Sequence, residues 1–338
     1  MSEHARVLDA LGGEAGCKRL SAAFYARVNA DPILRPLFPG KTLKCAIEEF
    51  GAFLIQFLGG DEKQTQRRWW LSLRESHGRF RIGDAERRAW LKHMAAALDA
   101  APVDETTRQA LMQFFECSSV YVTGREAGCP EHNELAQRWS EQRMVDEAIA
   151  AISAGRDDEA VALAPRLMSR PAVFTGMLAR MMRSGRADLI SYVLLALERD
   201  PSLATGRYGG RALLHYASGA GCLAVVERLL RLGTDPDIRD DGGRTPLYCA
   251  ANECASEQGP PIARALVGAG ADVNARCGVT RATALHMAAR RGHVEIARVL
   301  LERGAEIDAR DYKGCTPLQR AVNCRRHAVA QLLAEGIA

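Results

Sequence analysis

Residues 283–311 read "TALHMAARRGHVEIARVLLERGAEIDARD", and the pattern inside this stretch organises the second half of the chain. Thr283 opens a short apolar run, an amphipathic second run follows from Val294, and Gly304 falls where that second helix must stop in a left-handed residue. Three further copies surround it. "ALLHYA" begins at Ala212, "TPLYCAA" at Thr245 and "TPLQRAV" at Thr316, so the registers are separated by 33, 38 and 33 residues. A fixed period of this length marks a stacked repeat, in which no unit can bury its apolar face alone.

The residue chemistry agrees with the period. In Thr245-Pro246 and Thr316-Pro317 the threonine caps the first free backbone donors, and proline at the first helical position has no donor to leave unsatisfied. Gly233 and Gly270 repeat the stop at Gly304. His215 and His286 occupy the fourth motif position and are assigned to hydrogen bonding within the repeat rather than to a ligand. The extra residues between Thr245 and Thr283 fall around "NECASEQGPP" (252–261), an insertion that either shapes a partner surface or is a neutral loop. With their 33-residue period and blocks such as "TPLQ" and "GADVNA", these stretches resemble ankyrin repeats.

Upstream the pattern weakens without vanishing. "TGMLARMMRSGRADLISYVLLALERDPSLAT" (175–205) keeps the order helix, Ser-Gly turn, helix, and "VDEAIAAISAGRDDEAVALAPRL" (145–167) is a further candidate unit. Atypical end units are expected because they must present a polar outer face. The reading places an array of about six units at 142–338, with 142–206 degenerate and 207–338 clear. A linker is expected at 126–141 and a separate domain at 1–125.

At 338 residues the chain exceeds what one core usually serves, and its 47% hydrophobic and 25% charged residues are those of globular protein. The net charge of +4 comes from scattered residues, which makes nucleic acid an improbable ligand. The start lacks a long apolar run, and "FGAFLIQFLGG" (50–60) is too short for a membrane span, so a cytoplasmic protein without membrane attachment is expected. Ten dispersed cysteines with no CxxC pair are expected to be reduced thiols and not a zinc site.

The first domain shows helical periodicity throughout, so the fold class expected for the whole chain is all-α. Leu20, Phe24 and Val28 share one face, with Tyr25 beside them. Leu43, Ala46, Ile47, Phe50, Phe53, Leu54 and Phe57 form a broad stripe that ends at Gly59-Gly60. Asp84 is placed to cap a helix carrying Trp90, Leu91, Met94 and Leu98 inward, and a last helix follows Pro102. Two readings remain open on periodicity alone: a small bundle whose aromatics are only core, or a pocket that needs an axial ligand and an apolar slot. The segment "RESHGRFRIGDAERRAW" (74–90) offers His77 as that ligand, with Phe80 and Ile82 close behind.

Residues 1 to about 122 resemble a truncated haemoglobin, most closely the second group of that family. Gly12-Gly13, "FYARVNADPILRPLFPG" (24–40), Gly59-Gly60 and the segment around His77 carry the likeness. The resemblance implies a two-over-two helical globin that binds haem b. It makes His77 the proximal iron ligand, Tyr25 the distal tyrosine, Trp90 the group's tryptophan, Phe38 the aromatic on the haem face, and Ala46 and Phe50 two distal positions. Leu54, Phe80, Ile82 and Met94 complete the expected lining. Two positions depart from the family: Ala46 stands where a polar residue is common, and Glu49 where a basic residue meets a haem propionate. Lys44, Arg79 and Arg81 are substitutes for that anchor, and His93 is a second candidate ligand.

The expected function is a globin binding oxygen or another diatomic gas, joined to an ankyrin module that docks a protein. The alternative is a haem redox enzyme of peroxidase or nitric oxide dioxygenase type. The array's expected contact surface comprises Arg239, Asp240, Asp241, Arg276, Arg281, Arg310, Tyr312 and Lys313, with Tyr248, Arg290 and Arg320 nearby.

Overall fold

The computed structural model describes residues 3–60, 77, 80–123, 134–168 and 170–335. It divides into two units, Met1–Ala150 and Ala151–Ala338. In the first, α1 (Glu3–Ala10), α2 (Gly13–Ala30), α3 (Lys44–Phe57), α4 (Asp84–Asp99), α5 (Glu105–Val122) and α6 (Glu134–Ala154) are all helical, with a 3-10 turn at Arg35–Leu37. Helix α2 packs on α1, α3 and α4, and α4 packs on α5. Leu20, Phe24 and Val28 of α2 bury against Leu54, Ile55 and Leu58, Met94 and Leu98, and Leu111 and Phe115. Helix α3 ends as its glycines require: Gly59 takes φ +84°, and the Gly60 N–H reaches back to the Ile55 oxygen at 2.8 Å.

Three local expectations need correction. Asp84 is the first residue of α4 and not its cap; the Glu86 carboxylate accepts the Gly83 N–H at 2.8 Å and secures the start instead. Of the stretch 126–141, expected as a linker, residues 126–133 lie outside the described residues and 134–141 are already helical. Leu135 and Trp139 there are buried in the first unit's core, the Trp139 ring lying 5.7 Å from Phe114 and 5.5 Å from Tyr121. Cys117 is disulfide-bonded, while eight other cysteines among the described residues are free thiols. Dispersed spacing could not reveal a pairing made by the fold.

The second unit begins with the end of α6 and α7 (Asp157–Leu163), then five helix pairs: α8 (Pro171–Ser184) with α9 (Ala187–Arg199), α10 (Leu213–Ala220) with α11 (Leu223–Arg231), α12 (Pro246–Glu253) with α13 (Gly259–Gly268), α14 (Ala284–Arg291) with α15 (Val294–Glu302), and α16 (Pro317–Asn323) with α17 (His327–Glu335). Even-numbered helices from α8 stack on one another in order, and odd-numbered helices from α9 do the same. The degenerate stretch therefore joins the stack through α8 and α9. Between α9 and α10 the only strands among the described residues, Arg207–Tyr208 and Arg211–Ala212, form a hairpin whose Gly209 and Gly210 both have positive φ.

The repeated chemistry is visible atom by atom. Thr245 and Thr316 accept the N–H of Tyr248 and Gln319 at 3.2 and 3.3 Å. Gly233, Gly270 and Gly304 take φ of +82°, +98° and +84°. His215 and His286 each accept a main-chain N–H through Nδ1 at 3.2 Å and place Nε2 at 3.0 Å from the next repeat's oxygen, Arg244 or Cys315. The insertion is split: the stop glycine lies 25 positions after the capping residue at 245–270 against 21 at 283–304, and one further residue enters the hairpin before Thr283, where Arg281 takes φ +52°.

Much of the expected contact surface is spent inside the stack. Arg207 donates to the Arg239 oxygen, Arg239 to that of Arg276, and Arg276 to that of Arg310, at 2.8–3.0 Å, so each hairpin is tied to the next. Asp240 and Asp311 are buried. Asp240 accepts the Gly242 and Arg244 N–H groups and pairs with the Arg244 guanidinium, and Asp311 accepts those of Lys313 and Cys315 and pairs with Arg320. Arg281, Tyr312 and Lys313 remain exposed.

Burial holds both His215 and His286 below their ordinary value of 6.5, favouring the neutral form in the fold. The unfolded chain therefore binds more protons below that value, and stability present above about pH 6.5 is lost as pH falls. The urea midpoint, followed by far-UV circular dichroism, should drop between pH 7.5 and 5.5. His215→Gln with His286→Gln should lower it at pH 7.5 and flatten the acid slope, and an unchanged slope would contradict the assignment.

Candidate functional site

Helix periodicity decides which aromatic faces inward. On α2, burial of Leu20, Phe24 and Val28 at four-residue spacing leaves Tyr25 on the flank, half-buried. On α3 the later residues Leu54, Ile55 and Phe57 are buried, while Ala46 and Phe50 nearer its start are half-buried. Trp90 likewise precedes the buried Met94, Ala97 and Leu98 on α4.

These side chains meet in one cluster. The Phe24 ring lies 5.0 Å from Tyr25, 5.1 Å from Trp90 and 5.8 Å from Phe50. Phe50 meets Tyr25 and Trp90 edge-on at 6.2 and 6.3 Å, and Phe115 closes the far side at 5.5 Å from Trp90. In the other direction Tyr25 touches Phe38 at 5.7 Å, Phe38 touches Phe80 at 5.7 Å, and Phe80 lies 6.3 Å from the His77 ring. The Phe80 N–H donates to the His77 oxygen at 2.8 Å. Offset and edge-on contacts of this kind contribute about 0.5–1.5 kcal/mol each beyond area burial.

Of the ten residues expected to line the pocket, His77, Tyr25, Phe38, Ala46, Phe50, Phe80, Ile82 and Trp90 are half-buried. Leu54 and Met94 are instead sealed in the core at 0% exposure. A run of half-buried aromatic rings with an imidazole at one end offers the axial donor and the apolar wall that haem requires, and the phenol and indole along it add two polar donors. The residues present fit that group. His77 would hold the iron, and the half-buried rings would cover its faces.

The charges around the cluster are sorted by position. Burial first, and then the nearby Glu49 carboxylate, push the Tyr25 phenol well above its ordinary value, so it stays an O–H donor at any physiological pH. His93 is committed elsewhere. Its Nε2 lies 2.6 Å from Asp31, whose carboxylate also accepts the Ile33 and Leu34 N–H groups at 2.8 Å. The His93 hydrogen bond, followed by the Leu34 N–H, holds the Asp31 carboxyl below the usual carboxylate range. Lys44 and Arg81 are exposed, and Arg79 lies outside the described residues.

Sequence reading missed the two residues that shape the turn carrying Phe38. Arg35 donates to the oxygens of Phe38 and Gly40 and to Asn29, and Asp31 ties the same turn to α4. The Asp-Pro step in "NADPILRP" is a local turn signal that identifies Asp31; nothing local identifies its partner 62 residues away.

Comparison with known proteins places this geometry. The bacterial-like globin family matches residues 6–123, and the ankyrin-repeat family matches 177–277 and 252–338. The group 2 truncated hemoglobin YjbI of Bacillus subtilis is 30% identical over 113 residues, 33% of this chain and 85% of that protein. The ankyrin repeat and KH domain-containing protein mask-1 of Caenorhabditis elegans is 39% identical over 123 residues, and the human ankyrin repeat and SOCS box protein 16 is 35% identical over 131. Those alignments take 36% and 37% of this chain but span only 4% and 28% of the two larger proteins. Through residues 6–123 the chain therefore belongs to the bacterial-like, truncated globin family, and it carries ankyrin repeats in the same polypeptide.

Proposed function

We propose that the globin unit holds haem b through His77 and reversibly binds oxygen or another diatomic gas, while the ankyrin array docks a protein partner, making the chain a gas carrier or sensor with an interaction module. The observation that carries this reading is the continuous run of half-buried aromatics from His77 through Phe80, Phe38, Tyr25 and Phe50 to Trp90. Haem iron, when bound, supplies the electrophilic centre at which a diatomic gas is taken up.

The chain's own residues set what happens to that gas. Tyr25 offers a proton that burial keeps on the phenol, and Trp90 offers an indole N–H, so partial negative charge on the gas is met by fixed donors. Phe38 and Phe50 exclude water from the same volume, which strengthens both bonds. Phe24 holds Tyr25, Phe50 and Trp90 against one core ring, so neither donor has to be ordered when gas arrives.

His77→Ala should abolish the Soret band of the haem-supplied protein, and His93→Ala should retain it at a lower unfolding midpoint, because His93 is bonded to Asp31. Haem retained by the first variant and lost by the second would reverse the ligand assignment. Stopped-flow oxygen release from Tyr25→Phe should be faster by about tenfold, the loss of one hydrogen bond of ~1–2 kcal/mol. An unchanged rate would assign the donor role to Trp90.

A further inference from the structure

Four arginines gather where α14 ends and where α16 turns into α17. Arg290 Nη2 and Arg291 Nε both donate to the single amide oxygen of Asn252, at 2.8 and 3.2 Å, and Arg326 Nε donates to the Arg290 oxygen at 3.3 Å. Nearby carboxylates in sequence are engaged elsewhere: Glu253, next to Asn252, pairs with Arg211, and Glu295, four residues after Arg291, pairs with Arg298. Among the described residues no ion pair neutralises Arg290, Arg291, Arg325 or Arg326, and Nε of Arg290 is buried with no hydrogen-bond partner. Two guanidiniums drawn onto one neutral oxygen repel each other with no counter-charge to offset it.

Arg325 supplies a second, independent observation. Nine residues after Ala212 and Thr283 the array has Gly221 and Gly292, with φ of +79° and +87°; nine residues after Thr316 it has Arg325 at +56°. An arginine occupies a left-handed position that favours glycine, a strained conformation that the surrounding stack must hold in place. Val322, one helical turn earlier, is 60% exposed.

We propose that this cluster docks an acidic polypeptide segment in which carboxylates flank an apolar side chain, a proposal that rests on the array being a protein-interaction module. The carboxylates match the arginine forks, and the apolar side chain matches Val322. The patch is confined to neighbouring turns and the whole chain carries only +4, which suits a short acidic segment better than a nucleic-acid backbone, whose binding grows with each phosphate neutralised.

The test is fluorescence anisotropy of a labelled peptide, eight glutamates around a central leucine, titrated with the full-length protein at physiological salt. Arg290→Gln with Arg291→Gln and Arg326→Gln should weaken binding at least tenfold. A control removing the same charge from exposed positions, Arg231→Gln with Arg264→Gln and Arg303→Gln, should change it less than twofold. Arg325→Gly should weaken binding about threefold while raising the unfolding midpoint, an opposition that a merely structural residue would not produce. Equal loss in cluster and control variants, a lowered midpoint for Arg325→Gly, or tighter binding of an oligonucleotide or anionic vesicle at the same arginines overturns the proposal. Failure of the peptide to bind while a protein crosslinks to the array in cells removes this surface and leaves the interaction module standing.

Discussion

The globin unit depends on the burial of one ring, Phe24. It lies at 1% exposure in the middle of α2 and touches Tyr25, Phe50 and Trp90, residues from three helices, within 6 Å. Because α2 must turn Phe24 inward with Leu20 and Val28, Tyr25 is carried to the flank, and Phe50 and Trp90, which pack on the same ring, are half-buried beside it. A core contact thus fixes the open wall beside it. Replacement of Phe24 by a small residue would release three helices at once, the most damaging kind of core change.

The array obeys a different constraint. Each repeat exports hydrogen bonds to the next, from His215 and His286 on the helices and from Arg207, Arg239 and Arg276 along the hairpins. Stability in such a stack is a sum over neighbours. An insertion is tolerated where it leaves these bonds in register, and the turn at 254–258 and the hairpin at Arg281 both do so.

The repeat architecture was legible because its signals are local: a capping threonine, a proline at the first helical turn and a glycine stop recur within one unit, and in the fold Thr245 and Thr316 accept the capping bonds while the stop glycines take positive φ. The residues of the aromatic cluster were legible for a related reason, since helical spacing and the family likeness both single out Tyr25, Phe50 and Trp90. What escaped was non-local. His93 looks like a spare ligand until Asp31, 62 residues away, is seen to hold it, and Arg239 and Arg276 look like free surface until the neighbouring hairpins are in place. Periodicity gives the face of a helix but not the depth at which each residue sits, so the full burial of Leu54 and Met94 beside the half-buried Phe50 and Trp90 was not legible either.

The most direct test is an absorption titration of the purified full-length chain with haem, followed by reduction and exposure to oxygen and to carbon monoxide. The account predicts a Soret band that saturates at one haem per chain and shifts with each gas. A titration without saturation, or a spectrum indifferent to both gases, would contradict it and leave the aromatic cluster as core alone.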